Sequence, residues 1–287
     1  MMLKGWLIYR QKDAKQNASY IQWFIDESNK QNIDLKLIDR ERLSIGMINN
    51  QKVITYEQQH INLPDFVVIR TVEPFLNTFF EACHIPTFNP SVVAHLSHHK
   101  YLAYDYMNRL NIPMVDTIFI KKEDLSDRLP FPLPFVIKDA HGRSGKHVYL
   151  ISQHQQWKEL LTKLPQGDFI IQSAQVKLGQ DLRVFVIGKE IIAAVLRKNR
   201  SDFRANFKLG GTAEVYELNS QERSMIEKII NQFDFGLVGI DFLIHEDGQL
   251  LFNEIEDVVG SRILSATTSI NLLEKYVTHI HHKLTTK

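Results

Sequence analysis

The chain has a single cysteine, Cys83, which excludes an internal disulfide and any metal site built on several thiolates, and fits a reducing compartment. Proline and glycine are also sparse, with 9 and 13 in 287 residues, so neither a fibrous chain nor a proline-rich disordered one is encoded. No run approaches the roughly 20 apolar residues of a membrane span. The apolar stretch near the start, Trp6 to Tyr9, is far shorter than the central region of a signal peptide. Neither sign of charge dominates: 34 Lys and Arg stand against 33 Asp and Glu, which leaves no basic footprint for nucleic acid and no acidic tail. These absences point to a cytoplasmic enzyme or small-ligand binder, monomer or homo-oligomer, with neither nucleic acid nor membrane as partner. An apolar content of 44% suffices for the cores of two or so domains.

What is present begins as strand alternating with helix. Trp6–Tyr9 and Phe66–Ile69 are short apolar runs of the buried-strand type, and Ile33–Ile38 alternates as a half-buried strand. Tyr20, Trp23 and Phe24 lie at helical spacing behind Asn17-Ala18-Ser19, which offers capping residues. Such interleaving predicts a parallel α/β sheet. One long helix is expected over Ser91–Leu110, closed by Pro113, and a strand over Val115–Ile120. Pro130-Phe131-Pro132-Leu133-Pro134 is the best linker candidate. Beyond Gly167 strands prevail: 169–172, 181–187, 190–197, 237–244 and 249–254, covered by helices near 220–233 and 266–284.

Three constellations carry chemistry. In the first, two strands flank His245-Glu246-Asp247-Gly248-Gln249, and Asp-Gly marks a two-residue type I′ turn. That register sets Asp241 opposite Glu254, with Cβ atoms about 4.5–5.5 Å apart and Glu256 diagonal to them. Facing carboxylates repel unless a cation lies between them, and an oxygen-only set suits Mg²⁺ shared with substrate phosphates. The competing readings are that Asp241 pairs with an arginine, or that the register slips by one residue. The second constellation runs from Lys138 through Gly142-Arg143-Ser144-Gly145-Lys146, where backbone N–H groups and cations suit phosphate and the alternative is a solvated hairpin loop. In the third, Arg197 to Asn206 holds four cations ahead of Gly210-Gly211; it reads either as an anion site or as a solvated face. The histidines, His95, His98 and His99, then His279, His281 and His282, are expected on helix surfaces, and Cys83 is expected to be buried and inert. No side chain is placed as a nucleophile.

Taken in order, Lys100, Lys138, the Gly142–Lys146 loop, Asp181-Leu182-Arg183, Asp202-Phe203-Arg204-Ala205-Asn206, Gly239-Ile240-Asp241 and Asn253-Glu254-Ile255-Glu256 resemble an ATP-grasp ligase of the RimK type. The resemblance covers residues 90–280, and Arg70 resembles an arginine that faces the active site from the preceding domain. It implies a small N-terminal parallel α/β domain (1–90), a small lobe with the Gly-rich loop (91–170) and a C-terminal lobe with the metal hairpin (171–287), the two lobes gripping the nucleotide. It further implies that Lys100, Lys138, Gly142, Ser144, Gly145 and Lys146 meet ATP phosphates, and that Gln172 and Ser173 form the adenine hinge. Asp181 would hold the nucleotide, and Arg204 and Asn206 would meet phosphate and substrate. Asp241, Glu254 and Glu256 would bind two Mg²⁺ ions, with Mn²⁺ as an alternative, and Arg70, Arg183 and Arg262 would meet substrate. Glu256 departs from the family's asparagine, Asp257 and Arg262 from its small residues, and Gln172-Ser173 from its hinge pair of a glutamate followed by an aromatic. The activity implied is amide formation between a carboxylate and an amine through an acyl-phosphate. Glutamate or another amino acid would be added to a protein or small molecule; the rivals are a dipeptide or cell-wall-precursor ligase and a non-catalytic nucleotide-binding protein.

Overall fold

The computed structural model describes residues 2–142, 147–205 and 211–286. Strand β1 (Leu3–Tyr9) ends in five buried residues, as a parallel strand covered on both faces requires. Helices α1 (Gln11–Gln16) and α2 (Ala18–Lys30) lead to β2 (Ile33–Asp39), where Ile33 and Leu35 point inward and Asp34 and Lys36 outward. An antiparallel excursion follows that the sequence reading passed over: β3 (Leu43–Ile48), β4 (Gln51–Tyr56) and β5 (Gln59–His60). Strand β6 (Phe66–Ile69), helix α3 (Pro74–Glu81) and strand β7 (Thr87–Phe88) complete a parallel sheet of order β2-β1-β6-β7. The expected parallel α/β opening is therefore present.

The helix expected over Ser91–Leu110 is two helices, α4 (Ser91–Ser97) and α5 (Lys100–Arg109), broken at His98 and His99. The cause is local: the His99 ring leaves the helical path and accepts the Leu102 amide as the N-cap of α5. Val93, Leu96, Ala103 and Met107 pack into the core of the C-terminal sheet, not into the lobe that follows them in the chain. That lobe comprises β8 (Thr117–Lys121), β9 (Phe135–Asp139), β10 (Val148–Ile151), α6 (His154–Lys163) and β11 (Asp168–Ser173), with antiparallel order β10-β9-β11-β8 and a core around Phe135 and Trp157. The proline stretch 130–134 lies inside this lobe, with Phe131 and Leu133 packed on that core. It is not an interdomain linker.

The C-terminal sheet holds β12 (Val176–Ile187), β13 (Glu190–Lys198) and β14 (Thr212–Tyr216) and, after α7 (Ser220–Ile230), β15 (Leu237–His245) and β16 (Leu250–Glu256). Its order is β14-β13-β12-β15-β16. The last expected helix is also divided, into α8 (Arg262–Thr267) and α9 (Leu272–Thr285). Leu7, Phe24 and Phe66 of the N-terminal layer share one apolar core with Phe185, Leu273 and Tyr276, so burial fuses the first domain to the C-terminal sheet. Two of the histidines expected on surfaces are not there. His279 packs edge-on against Phe88 and beside Gly188, and the His98 side chain is 9% exposed. No helix among the described residues is long and apolar enough to cross a membrane.

Candidate active site

The site is organised by the β15–β16 hairpin. Asp241 does stand opposite Glu254, but by a route other than the two-residue turn. The His245 amide donates to the Gln249 carbonyl at 2.9 Å and the Gly248 amide to the His245 carbonyl at 2.9 Å, which closes a three-residue loop, Glu246–Gly248. Gly248 takes φ 100° there, a conformation other residues rarely adopt. The longer loop shifts the pairing by one residue, and a bulge between Asp241 and Phe242 shifts it back, leaving Asn253 unpaired. The slip and the bulge cancel.

Cross-strand register then assembles charge on one face of the sheet. Arg197 lies opposite Asp181, Arg183 opposite Asp241, and Asp241 opposite Glu254. Arg183 grips Asp241 with two bonds of 2.7 Å and also meets Glu256. Arg197 reaches Asp241 at 2.8 Å and holds Asp181 through both carboxylate oxygens. The arginine pairing weighed as an alternative for Asp241 is thus realised twice over. Burial pushes the Asp241 carboxyl up, but Arg183 and Arg197 overcome it and hold the group at about 2.

In front of this face lies an open cleft whose empty space, mouth and adjoining solvent included, is about 950 Å³. Val136, Val148, Leu178 and Leu243 give it apolar walls. Lys138 of β9 enters it buried, its Nζ donating to Asn253 Oδ1 at 3.0 Å and lying 5.9 Å from the Tyr104 ring centre. Burial, opposed by Glu254 and reinforced by Lys100, pushes the Lys138 ammonium down to about 8. Lys100, at the start of α5, donates to the Gly142 carbonyl and lines the same cleft. Gln172 and Ser173 line it too, although the Gln172 amide donates sideways to the Tyr104 hydroxyl and Thr117 Oγ1, each at 2.9 Å. Arg204 lines the far wall with its guanidinium on Asp202. A smaller crevice opens beside the cleft, sharing Lys100, Gly142 and Glu254 with it and adding His98, His141 and Glu256.

Lys100, Lys138, Gly142, Gln172, Ser173, Asp181, Arg204, Asp241 and Glu254 therefore border the cleft, and Glu256 the adjoining crevice. Arg183 sits behind Asp241 and is absent from the lining. Arg70 lies elsewhere, donating to the Tyr9 hydroxyl at 3.1 Å and the Val259 carbonyl at 2.9 Å, over the Tyr20 ring. Arg262 opens α8, exposed and outside the lining. Ser144, Gly145, Lys146 and Asn206 lie outside the described residues. Sequence reasoning placed Arg197 in a cationic run read as an anion site or a solvated face; the structure buries it against Asp181 and Asp241 instead. Sequence reasoning missed Asn253 and Tyr104, for which only the bulge and the helix packing supply a signal.

Fold and chemistry together raise the question of a divalent cation. Every candidate donor is a hard carboxylate oxygen, as Mg²⁺ prefers. Three of the roughly four lone pairs of Asp241 already accept from arginine. Among the described residues no three His, Cys, Asp or Glu are arranged as a closed metal site. The set fits an ion held by one or two carboxylates, Glu254 and Glu256, with its shell completed by phosphate, which is the usual habit of Mg²⁺.

Residues 97–280 match the family described as the RimK-like ATP-grasp domain. A probable alpha-L-glutamate ligase of Legionella pneumophila is 31% identical over 208 residues, covering 69% of this chain and 67% of that protein. A RimK domain ATP-grasp protein of Sphaerobacter thermophilus has a TM-score of 0.73 at 14% identity, over 96% of this chain and 98% of its own. The ATP-grasp ligase PsnB, solved with minimal precursor, Mg and ADP, has a TM-score of 0.71 at 12% identity, over 98% and 97%.

Proposed function

The chain belongs to the RimK-like ATP-grasp family, and on that premise we propose that it is an ATP-dependent carboxylate–amine ligase that forms an amide with an amino acid, glutamate being the first to test. The observation that carries this reading is that Lys100, Lys138 and Glu254 line one cleft together with the apolar Val136, Val148, Leu178 and Leu243. A nucleotide fits that polarity, its base between Val136, Val148, Leu178 and Leu243 and its phosphates toward the lysines. The likeness to the probable alpha-L-glutamate ligase of Legionella supports the amino-acid assignment.

In the reaction the substrate carboxylate attacks the γ-phosphorus of ATP, the bond to the bridging oxygen breaks, and ADP leaves an acyl-phosphate. The amine then attacks the carbonyl; the C–N bond forms, the C–O bond to phosphate breaks, and the amine gives up a proton. Both steps move negative charge among oxygens, so positioning and fixed positive charge carry the catalysis. Lys138 and Lys100 supply that charge at the phosphate end, and Arg204 supplies it from the facing wall. Glu254 and Glu256 would hold Mg²⁺, which would supply further positive charge to the phosphates. Asp181, Arg183, Arg197 and Asp241 form the rigid floor that holds these groups in place.

The direct experiment is mass spectrometry of the products formed from ATP, Mg²⁺ and pooled carboxylates and amines, with ADP release in parallel. An amide product whose formation tracks ADP release is expected. Nucleotide binding with no ligation in any pool favours a non-catalytic nucleotide-binding protein.

A further inference from the structure

His98 and Asp257 join two segments that each carry site groups. His98 sits at the break between α4 and α5, two residues before Lys100, and Asp257 follows Glu256 at the end of β16. His98 Nε2 lies 3.0 Å from Asp257 Oδ1, with the two side chains 9% and 6% exposed. Neither atom makes a hydrogen bond of acceptable geometry among the described residues, and neither does His98 Nδ1, so the two side chains meet as a close polar contact. Buried polar atoms of this kind cost stability unless their mutual geometry is used, and both helices flanking the break pack on β16. His98, Lys100, Glu254 and Glu256 line one crevice. The histidine is therefore not a surface residue at a helix end; it ties the start of the phosphate-lysine helix to the carboxylate strand.

We propose that the His98–Asp257 pair is a positioning latch: it fixes Lys100 relative to Glu254 and Glu256, so that the divalent cation and the nucleotide phosphates bind as one unit. The proposal rests on the functional reading above. Neither residue is asked to touch substrate or to move a proton. Outer groups that orient ligand-bearing segments typically change affinity by 10–100-fold when removed.

The test is calorimetric binding of ADP with and without Mg²⁺, for wild type, His98→Ala, Asp257→Ala, the double variant, and His98→Asn as the conservative change that keeps a donor. Wild type is expected to gain affinity from Mg²⁺, and each alanine variant to lose about tenfold of that gain with little change in Mg²⁺-free ADP affinity. The double variant should be no worse than either single one, and His98→Asn should recover part of the gain. Equal loss with and without Mg²⁺ makes the pair merely structural and overturns the proposal, as do additive losses or an unaltered Mg²⁺ gain. Should the alanine variants fail to fold, His98→Asn and Asp257→Asn decide by the same ratio. A wild-type chain that binds no nucleotide defeats the functional reading and the latch together; a binding wild type with unaffected variants defeats the latch alone.

Discussion

Lys138 sets function against stability in a way that one substitution separates. Its ammonium is buried and titrates at about 8 in place of the ordinary 10.5. At about 1.36 kcal/mol for each unit, holding the charge in the nucleotide-free protein at pH 7 costs about 3 kcal/mol. Lys138→Met keeps the stem and removes the charge. It also removes the bond to Asn253, worth about 1 kcal/mol, so the net expectation is a gain of about 1–2 kcal/mol. For a chain of this size that raises the melting temperature by about 2–6 °C. The pH dependence has a definite sign. Between pH 8 and 10.5 the unfolded lysine keeps a proton that the folded one has lost, so wild-type stability from this group rises with pH across that window, and the advantage of the methionine shrinks toward zero. The second half of the expectation concerns ligand. Wild type at a hundredfold excess of nucleotide over Kd gains about 2.7 kcal/mol, and the variant loses most of that gain because the phosphates lose a partner at the base of the cleft. The assay is a thermal melt at pH 7 and pH 10, with and without Mg²⁺-nucleotide. A variant that melts lower than wild type at pH 7 and keeps the full ligand shift refutes the reasoning, because the lysine is then a packing element and not a phosphate group held ready.

Four further outcomes follow from the same face and cleft. Asp241→Asn leaves Arg183 and Arg197 short of a buried counter-charge and is expected to lower unfolding stability by about 3–5 kcal/mol; a denaturation midpoint within error of wild type contradicts the floor assigned to it. Glu254→Gln removes a carboxylate facing Asp241, so the metal-free protein should melt no lower than wild type while ADP release falls by orders of magnitude; a lower melt with an intact Mg²⁺-nucleotide shift makes Glu254 a structural partner. Arg204→Lys should reduce turnover far more than ATP affinity, because an ammonium lacks the guanidinium fork; equal losses in both make it a ground-state binding residue. Nucleotide affinity should weaken as pH rises through about 8, where free Lys138 gives up its proton; a flat profile in wild type between pH 7 and 9 counts against its contact with phosphate.

The parallel opening and the later strands were legible because each rests on a pattern the chain displays locally, whereas most of the candidate site residues came from the resemblance. All-apolar runs gave β1 and β6, and alternation gave β2. The breaks at His98–His99 and between α8 and α9 were not read from the sequence: apolar spacing continues across both, and a side-chain cap, the His99 ring for α5 and Asn271 for α9, starts a new helix at each. The β3–β4–β5 excursion was missed because exposed Met47 and Ile48 at the end of β3 break the alternation that Leu43-Ser44-Ile45 begins. Arg70 and Arg262 were expected at the site through the resemblance, yet the fold sends one to a tyrosine cluster and the other to the exposed start of a short helix.

The hairpin shows most clearly where such reading stops. From Asp-Gly alone the pairing of Asp241 with Glu254 came out right through a turn that is not there. The three-residue loop moves every pair near the turn by one, and the bulge moves the pairs beyond Phe242 back by one. Neither irregularity is visible as a pattern, since Asn253 fits an alternating strand as well as it fits a bulge. The bulge nevertheless has a chemical consequence. It frees Asn253 from the ladder beside Lys138, where the Asn253 amide oxygen accepts from the ammonium at 3.0 Å, and it keeps Asp241 aligned with Glu254 and Arg183. Asp247→Asn, which favours a two-residue turn over positions 247–248, should therefore draw the loop into the register that the far end of the hairpin already keeps and pair the strands continuously through Asn253. If the bulge is what presents Asn253, this variant should fold with nucleotide affinity reduced about as much as in Asn253→Ala, and adding Asn253→Ala to it should change little. Full affinity in the Asp247→Asn variant, with a further drop on adding Asn253→Ala, would show that Asn253 reaches Lys138 without the bulge.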